Sequence, residues 1–369
     1  MGTTHSKYYI GQMSGTSLDG VDTVLMQLNE TGAADNKIQT IASHHLEFSS
    51  DFKQTLLELC NSGDDEVHRS ALAANELAQV YAQSVNELLS YSDINADEVI
   101  AIGAHGQTIR HMPPYYTTQI LNAALLAELT GITTVNDFRS RDIAANGQGA
   151  PLVPAFHDHL FPHSQDIIVL NIGGMANISV LSKETGISGY DTGPGNVLMD
   201  AWFSRHLNGS YDEDGNWARC GQCIPELLND LLTEPYFSEP APKSTGRELF
   251  QLDWLLEFEP QDYAAEDVQA TLLQVTAQSI CQEISQFPNT KQVVVCGGGA
   301  YNGELMRVLT ESLNGIEVIT SDELGFDAQN VEALAFAWLA HQCIHRLPGN
   351  VPAVTGAKGQ RVLGAIYPA

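Results

Sequence analysis

Basic residues are scarce in this chain: 17 Lys and Arg stand against 45 Asp and Glu among 369 residues, a formal charge of −28. Nucleic acid and anionic membranes both attract clustered positive charge, so neither is expected as the main partner. A small anion held in a local pocket stays compatible with that balance. Cysteine is sparse as well, and six in this length do not make a disulfide scaffold. No run of about 18 apolar residues occurs, which argues against a membrane-spanning helix. Met1 to Tyr9 has no basic segment followed by an apolar stretch, so a secretory leader is not expected. The pattern Gly-x-x-x-x-Gly-Lys-Ser/Thr is absent, which excludes a P-loop. A protein of a reducing cytoplasm is the expectation.

What is present points to a two-domain α/β chain. The length suggests about two domains at roughly 150 residues each, and 43% hydrophobic with 17% charged residues is a globular composition. Tyr8 to Ile10 and Val21 to Leu28 read as extended segments around a Gly/Ser/Thr/Asp cluster, hence a β-hairpin with a broad polar turn. Leu72, Leu77, Val80, Tyr81, Val85 and Leu88 recur at helical spacing and predict a helix over 66–90. Short apolar strands at 99–103 and 132–135 flank a helix expected at 119–129, an alternation typical of α/β architecture. Strands at 167–171 and 178–181 then surround Gly173-Gly174, repeating the plan of residues 8–28. That repetition implies an internal duplication. A helix at 266–286, a strand at 293–295 and a final helix at 331–346 complete the outline.

Four groups of residues carry chemistry. In Ser14-Gly15-Thr16-Ser17-Leu18-Asp19-Gly20-Val21-Asp22, glycines allow close backbone approach, and amides and hydroxyls can donate to phosphate oxygens. Asp19 and Asp22 would help position a divalent cation there; the alternative is an ordinary hairpin turn. Asp191, in Tyr190-Asp191-Thr192-Gly193-Pro194-Gly195-Asn196, is a candidate general base, or else a cap for the following helix. Gly297-Gly298-Gly299 follows an apolar strand, but Asn302 replaces the third glycine of a dinucleotide fingerprint. His105, between Ala104 and Gly106 at a strand end, sits where ligand-facing residues of open α/β sheets sit. The pair Cys220 and Cys223 lacks a second pair for zinc. His157, His159 and His163 read as loop or surface histidines.

Taken together, these motifs resemble the anhydro-N-acetylmuramic acid kinase family. The resemblance runs through 11–22, Ala104-His105-Gly106-Gln107-Thr108, Asn136-Asp137-Phe138-Arg139, 147–154, Asn171-Ile172-Gly173-Gly174, 191–196, 297–302 and Val331-Glu332-Ala333. It implies a fold like that of actin, hexokinase and the Hsp70 ATPases: two duplicated actin-like (ribonuclease H-like) α/β domains with ATP in a cleft between them. The expected domains are 1–160 with about 349–369, and 161–348. By the resemblance Gly15, Thr16, Ser17, Leu18, Asp19, Gly20, Val21 and Asp22 bind ATP. So do Gly173, Gly174, Asn177, Gly297, Gly298, Gly299 and Asn302, and Asp19 and Asp22 would be the Mg²⁺ ligands.

The implied reaction is hydrolytic opening of 1,6-anhydro-N-acetylmuramic acid coupled to phosphorylation of O6 by ATP. The products are N-acetylmuramic acid 6-phosphate and ADP, in cell-wall recycling. Asp191 would be the base that deprotonates the water, and Glu332 a second acid facing the sugar or a first-turn acid complementing its helix dipole. His105, Gln107 and Thr108 would meet sugar hydroxyls. Arg139 would pair with the lactyl carboxylate, or instead with Asp137 or Asp142. The family also implies a homodimer. The competing readings are an actin-like or chaperone-like ATPase, a kinase for another sugar, and a dinucleotide-dependent oxidoreductase resting on the triple glycine alone.

Overall fold

The structure is a computed structural model that describes residues 7–15, 18–29, 37–161, 165–241, 243–246 and 249–369. Thr16, Ser17 and His163 therefore lie outside the described residues. The chain forms two compact units, 1–160 with 330–369, and 161–329.

The first unit begins with β1 (Lys7–Met13), β2 (Gly20–Asn29) and β3 (Lys37–Glu47), followed by α1 (Ser50–Leu59) and α2 (Glu66–Ser90). Next come β4 (Val99–Ala104), a hairpin of β5 (Gln107–Met112) and β6 (Tyr116–Ile120), and α3 (Ala123–Thr130). Then follow β7 (Thr134–Asn136), α4 (Ser140–Ile143) and α5 (Val153–Leu160). The second unit holds β8 (Ile167–Ile172), β9 (Met175–Ser182), β10 (Gly186–Pro194), α6 (Val197–His206), α7 (Pro225–Leu231) and α8 (Leu252–Leu256). It closes with α9 (Ala265–Ile284), β11 (Gln292–Cys296), α10 (Gly303–Ser312) and β12 (Glu317–Thr320). The chain then returns to the first unit as α11 (Val331–Ile344), α12 (Pro352–Thr355) and β13 (Ala365–Tyr367).

The duplication is visible in the sheets. In the first unit the order is β13-β7-β4-β1-β2-β3, and in the second β10-β9-β8-β11-β12. In each, three antiparallel strands are followed by strands parallel to the first, β4 and β7 in one unit and β11 and β12 in the other. This is the ribonuclease H-like plan of actin-like domains. β8 is buried at every position, as a central strand covered on both faces must be.

The sequence placed the return to the first unit near residue 349, but α11 is already part of it. Nearly every side chain of α11 is buried, and Glu332 in its first turn is partly so. It lies against β1 and β4 so closely that a Cβ on Gly11 would come within 1.8 Å of the Ala333 carbonyl oxygen. A Cβ on Gly103 would meet that of Phe336 at 2.0 Å. Two glycines on neighbouring strands are thus what lets the helix seat.

α2 spans the expected 66–90, though Ala73 rather than Leu72 lies on its buried stripe, and Leu72 is exposed. The helix expected from 119 begins at Ala123, because Tyr116–Ile120 pairs with Gln107–Met112 instead. His157 is not at the surface but buried on α5.

Candidate functional site

Each unit gathers polar groups at one end of its central strands. In the first, the turn between β1 and β2 is held from beneath. The Ser14 hydroxyl is 2.8 Å from Tyr81 Oη and donates to the Gly106 carbonyl at 3.2 Å. Gln107 Nε2 donates to the Gly15 carbonyl at 3.2 Å, and Gln12 Nε2 reaches the Tyr81 carbonyl at 3.0 Å. Leu18 adopts a left-handed backbone with φ 55° and turns its side chain into the apolar core, so any part it has toward a ligand runs through its backbone. Val21 is likewise core, whereas Asp19 stays exposed. Asp22 Oδ1 lies 2.7 Å from His45 Nδ1, which raises the pKa of that histidine and ties the carboxylate to β3.

At the end of β4, His105 is buried. Arg139 Nε donates to its Nε2 at 3.0 Å, and because a guanidinium nitrogen only donates, the ring proton is assigned to Nδ1. Burial and then the neighbouring Arg139 charge hold the His105 pKa well below its ordinary value, so the ring is neutral. Arg139 Nη1 donates to the Gly149 carbonyl at 2.8 Å, which braces the guanidinium on two sides. Burial lowers its pKa to about 10, with Glu332 opposing the shift.

The carboxylates considered as alternative partners are engaged elsewhere. Asp137 accepts from the Ser140 amide, and buried Asp142 accepts from the Gly149 amide, Asn350 Nδ2 and Thr355 Oγ1. Asp142 thereby also fixes the loop whose carbonyl holds Arg139. In the first turn of α11, burial raises the Glu332 pKa, Arg139 lowers it and Asp22 raises it further. Thr108 Oγ1 accepts from Gln119 Nε2 across the β5–β6 hairpin, and Gln107 Oε1 is buried without a hydrogen-bond partner. An orphaned acceptor beside such a turn is a place where a ligand donor fits.

In the second unit, Asp191 lies directly opposite Asn177, Asn177 opposite Asn171, and Asn171 opposite Cys296. Directly paired residues share a sheet face, so these form one row across four strands. A bulge after Asp191 leaves Thr192 unmatched and turns the chain, a common device beside active sites. The Asp191 amide donates to the Lys243 carbonyl, its Oδ2 accepts from the Thr245 amide at 3.0 Å, and its carbonyl accepts from Tyr236 Oη at 2.8 Å. Asp191 therefore sits on β10 and does not cap α6, whose N-cap residue is Asn196.

The short turn between β8 and β9 interlocks with the end of β10. The Gly195 and Asn196 amides donate to the Gly174 and Gly173 carbonyls, and a Cβ on Gly195 would meet the Gly173 oxygen at 2.3 Å. Gly174 faces open space, and a Cβ on Gly173 would meet only the Met175 carbonyl oxygen, at 3.7 Å. The triple glycine divides in the same way. Gly297, with φ 81°, is pressed against Asn171 and Ile172, and Gly299 against Ile172, while Gly298 alone stands open. Asn302 caps α10 by accepting from the Leu305 amide. Cys220 and Cys223 carry no disulfide, and no cluster of three or more His, Cys, Asp or Glu able to hold a metal occurs among the described residues.

Lys243, Thr245 and Tyr236 went unnoticed in the sequence. The one available signal was a lysine, in a chain poor in them, set between Pro242 and Ser244-Thr245-Gly246.

Two units on the actin-like plan, each with polar groups at the ends of its strands, define a protein of the actin-like class. The family is then specific. Residues 7–369 match the family model described as anhydro-N-acetylmuramic acid kinase. A relative from Nitrosomonas europaea named anhydro-N-acetylmuramic acid kinase is 51% identical over 368 residues, covering 98% of this chain and all of its own length. One from Pseudomonas syringae pv. tomato with the same name is 50% identical, covering 98% of this chain and 99% of its own. The chain belongs to the anhydro-N-acetylmuramic acid kinase family. Among solved structures, the activator of 2-hydroxyisocaproyl-CoA dehydratase from Clostridium difficile overlays with a TM-score of 0.47 at 12% identity, covering 92% of this chain and 96% of that one. No helix among the described residues is long and apolar enough to cross a membrane.

Proposed function

We propose that this protein opens 1,6-anhydro-N-acetylmuramic acid with water and passes the γ-phosphoryl group of ATP to the released O6. The products are N-acetylmuramic acid 6-phosphate and ADP, a step of peptidoglycan recycling in the cytoplasm. The observation that carries this reading is full-length identity of about half to relatives named for that substrate.

The residues divide the work by chemistry. Asp191, oriented by the Thr245 amide, takes a proton from the water as its oxygen bonds to the anomeric carbon. The bond from that carbon to O6 breaks, and O6 attacks the γ-phosphorus as ADP leaves. The backbone of Gly15 and Asp19 offers amides, and Gly173, Gly174 and Gly298 leave the open space that phosphates and nucleotide need. Gly20, where a Cβ would meet the Leu46 carbonyl oxygen at 2.4 Å, lets β2 seat against β3. Asn177 extends the polar row beside Asp191.

Arg139, stiffened by His105 and Gly149, suits the planar lactyl carboxylate. Glu332, with its proton affinity raised by burial, faces the sugar as a hydrogen-bonding carboxyl group. Gln107 and Thr108 supply side-chain hydrogen-bonding groups. Mg²⁺ fits this arrangement as an ion borne mostly by phosphate and water, since it needs only one or two protein carboxylates. Exposed Asp19 would hold it, with Asp22, already bonded to His45, as the second. When bound, the ion supplies neutralisation of the triphosphate charge. The functional protein is a homodimer, which sedimentation of the pure chain checks.

Incubation with ATP, Mg²⁺ and the anhydro sugar in ¹⁸O water tests the reaction. Label at the anomeric hydroxyl and none in the phosphate is the expected product. Label in the phosphate, or no phosphorylated sugar at all, ends the reading.

A further inference from the structure

The second unit buries a lysine that none of the steps above uses. The side chains of Lys243 and Glu283 are 2% and 4% exposed, with Nζ 2.8 Å from Oε1. Lys243 Nζ also donates to the carbonyls of Tyr236 and Phe237, at 3.1 and 3.3 Å. All three ammonium donors are thereby satisfied. Glu283 Oε2 accepts from Tyr190 Oη at 3.0 Å and from Gln286 Nε2 at 2.8 Å. A buried pair of this kind is no argument for stability, because apolar groups of the same volume often serve as well. Its meaning lies in what it holds still.

What it holds is the surroundings of Asp191. Glu283 belongs to α9 and Tyr190 to β10, so the pair anchors the loop bearing Lys243 to both elements. The backbone of that loop grips Asp191 twice, through the Lys243 carbonyl at 3.2 Å and the Thr245 amide at 3.0 Å. The Tyr236 carbonyl is held by Lys243, and its hydroxyl bonds the Asp191 carbonyl at 2.8 Å. Three contacts on one aspartate thus converge on one buried ammonium.

We propose that the buried Lys243–Glu283 pair is a positioning element for the Asp191 carboxylate, acting through the backbone of 243–245 and through Tyr236. This deepens the reading above and rests on Asp191 being the general base. Lys243 touches no reacting atom in this scheme. It sets where the carboxylate oxygen points, and small misplacements of a catalytic group cost as much as roughly 100-fold in rate.

Lys243→Met alone strands a buried carboxylate and risks misfolding, so the informative variant is Lys243→Met with Glu283→Gln, which removes both charges and keeps the volume. It is expected to melt near the wild-type temperature and to keep the KM values for ATP and anhydro sugar, while kcat falls roughly 10- to 100-fold. Placed on top of Asp191→Asn, the same pair of changes should add no further loss, since groups acting through one another are not additive. Wild-type kcat in the folded double variant overturns the proposal. So does an independent, multiplicative loss in the Asp191→Asn background, or a double variant that fails to fold, which assigns the pair to stability. If instead Asp191→Asn alone turns over near the wild-type rate, it is the base assignment that fails.

Discussion

The two units share a strand order and use it differently. The first separates β1 from β2 by residues 14–19, whose floor is built from Tyr81, Gln12 and Gln107 and sealed by the inward Leu18. The second joins β8 to β9 through Gly173 and Gly174 alone, and the end of β10 folds back to hold that turn. Their buried ionisable groups contrast as well. The first unit keeps His105 and His157 neutral and satisfies Asp142 with uncharged donors. The second neutralises a lysine with a glutamate. The lesson is that a duplicated sheet supplies strand ends, while loop length and local charge decide what stands there.

The largest effect expected from breaking this contrast lies in the second unit. Asp191→Asn should lower kcat by roughly 10²–10⁴ while leaving nucleotide and sugar affinity intact. Near wild-type turnover in that variant would remove Asp191 from the chemistry.

Glycines come next, because the two units use them for opposite purposes. Gly11→Ala forces a methyl into the Ala333 carbonyl and should cost about 1–3 kcal/mol or more in a denaturant titration. Gly174→Ala meets nothing within 4 Å, so it should fold normally and show its effect only as weaker nucleotide binding by calorimetry. Equal destabilisation by both would erase the distinction.

Arg139→Ala should raise the KM for the anhydro sugar about 10- to 100-fold, the worth of a charged hydrogen bond, with less effect on ATP. An unchanged KM would leave Arg139 a structural brace for His105 and Gly149.

The smallest effect concerns acid. Burial depresses the His157 pKa to about 3, and the His105 pKa is depressed by burial too. Below about pH 6.5 the unfolded chain binds protons that the folded chain refuses. Stability contributed by the neutral rings is therefore present above that pH and is lost as pH falls toward about 3. His157→Leu should flatten the fall of the melting temperature over this range by up to one proton's worth, about 1.4 kcal/mol per pH unit.

α2 was legible because its apolar spacing has the period of a helix and nothing interrupts it, and β8 because the apolar run Ile167 to Leu170 reads as a buried strand. The helix expected at 119–129 began too early, since the Thr-rich stretch Tyr116–Ile120 finds its partner only once β5 has folded back. Glu332 was legible as a position but not as a group whose proton affinity rises, because that depends on burial by distant segments, with Asp22 adding to the rise and Arg139 opposing it. Lys243 was not legible at all.

Local chemistry set out in order along the chain determined the paired hairpins, the glycine turns and the family, for these depend on residue type and spacing. The tertiary structure alone decided which glycines serve packing and which stand open, that α11 belongs to the first unit, and that a lone lysine lies beneath the aspartate. Those depend on close approach between segments far apart in sequence, which no local pattern encodes.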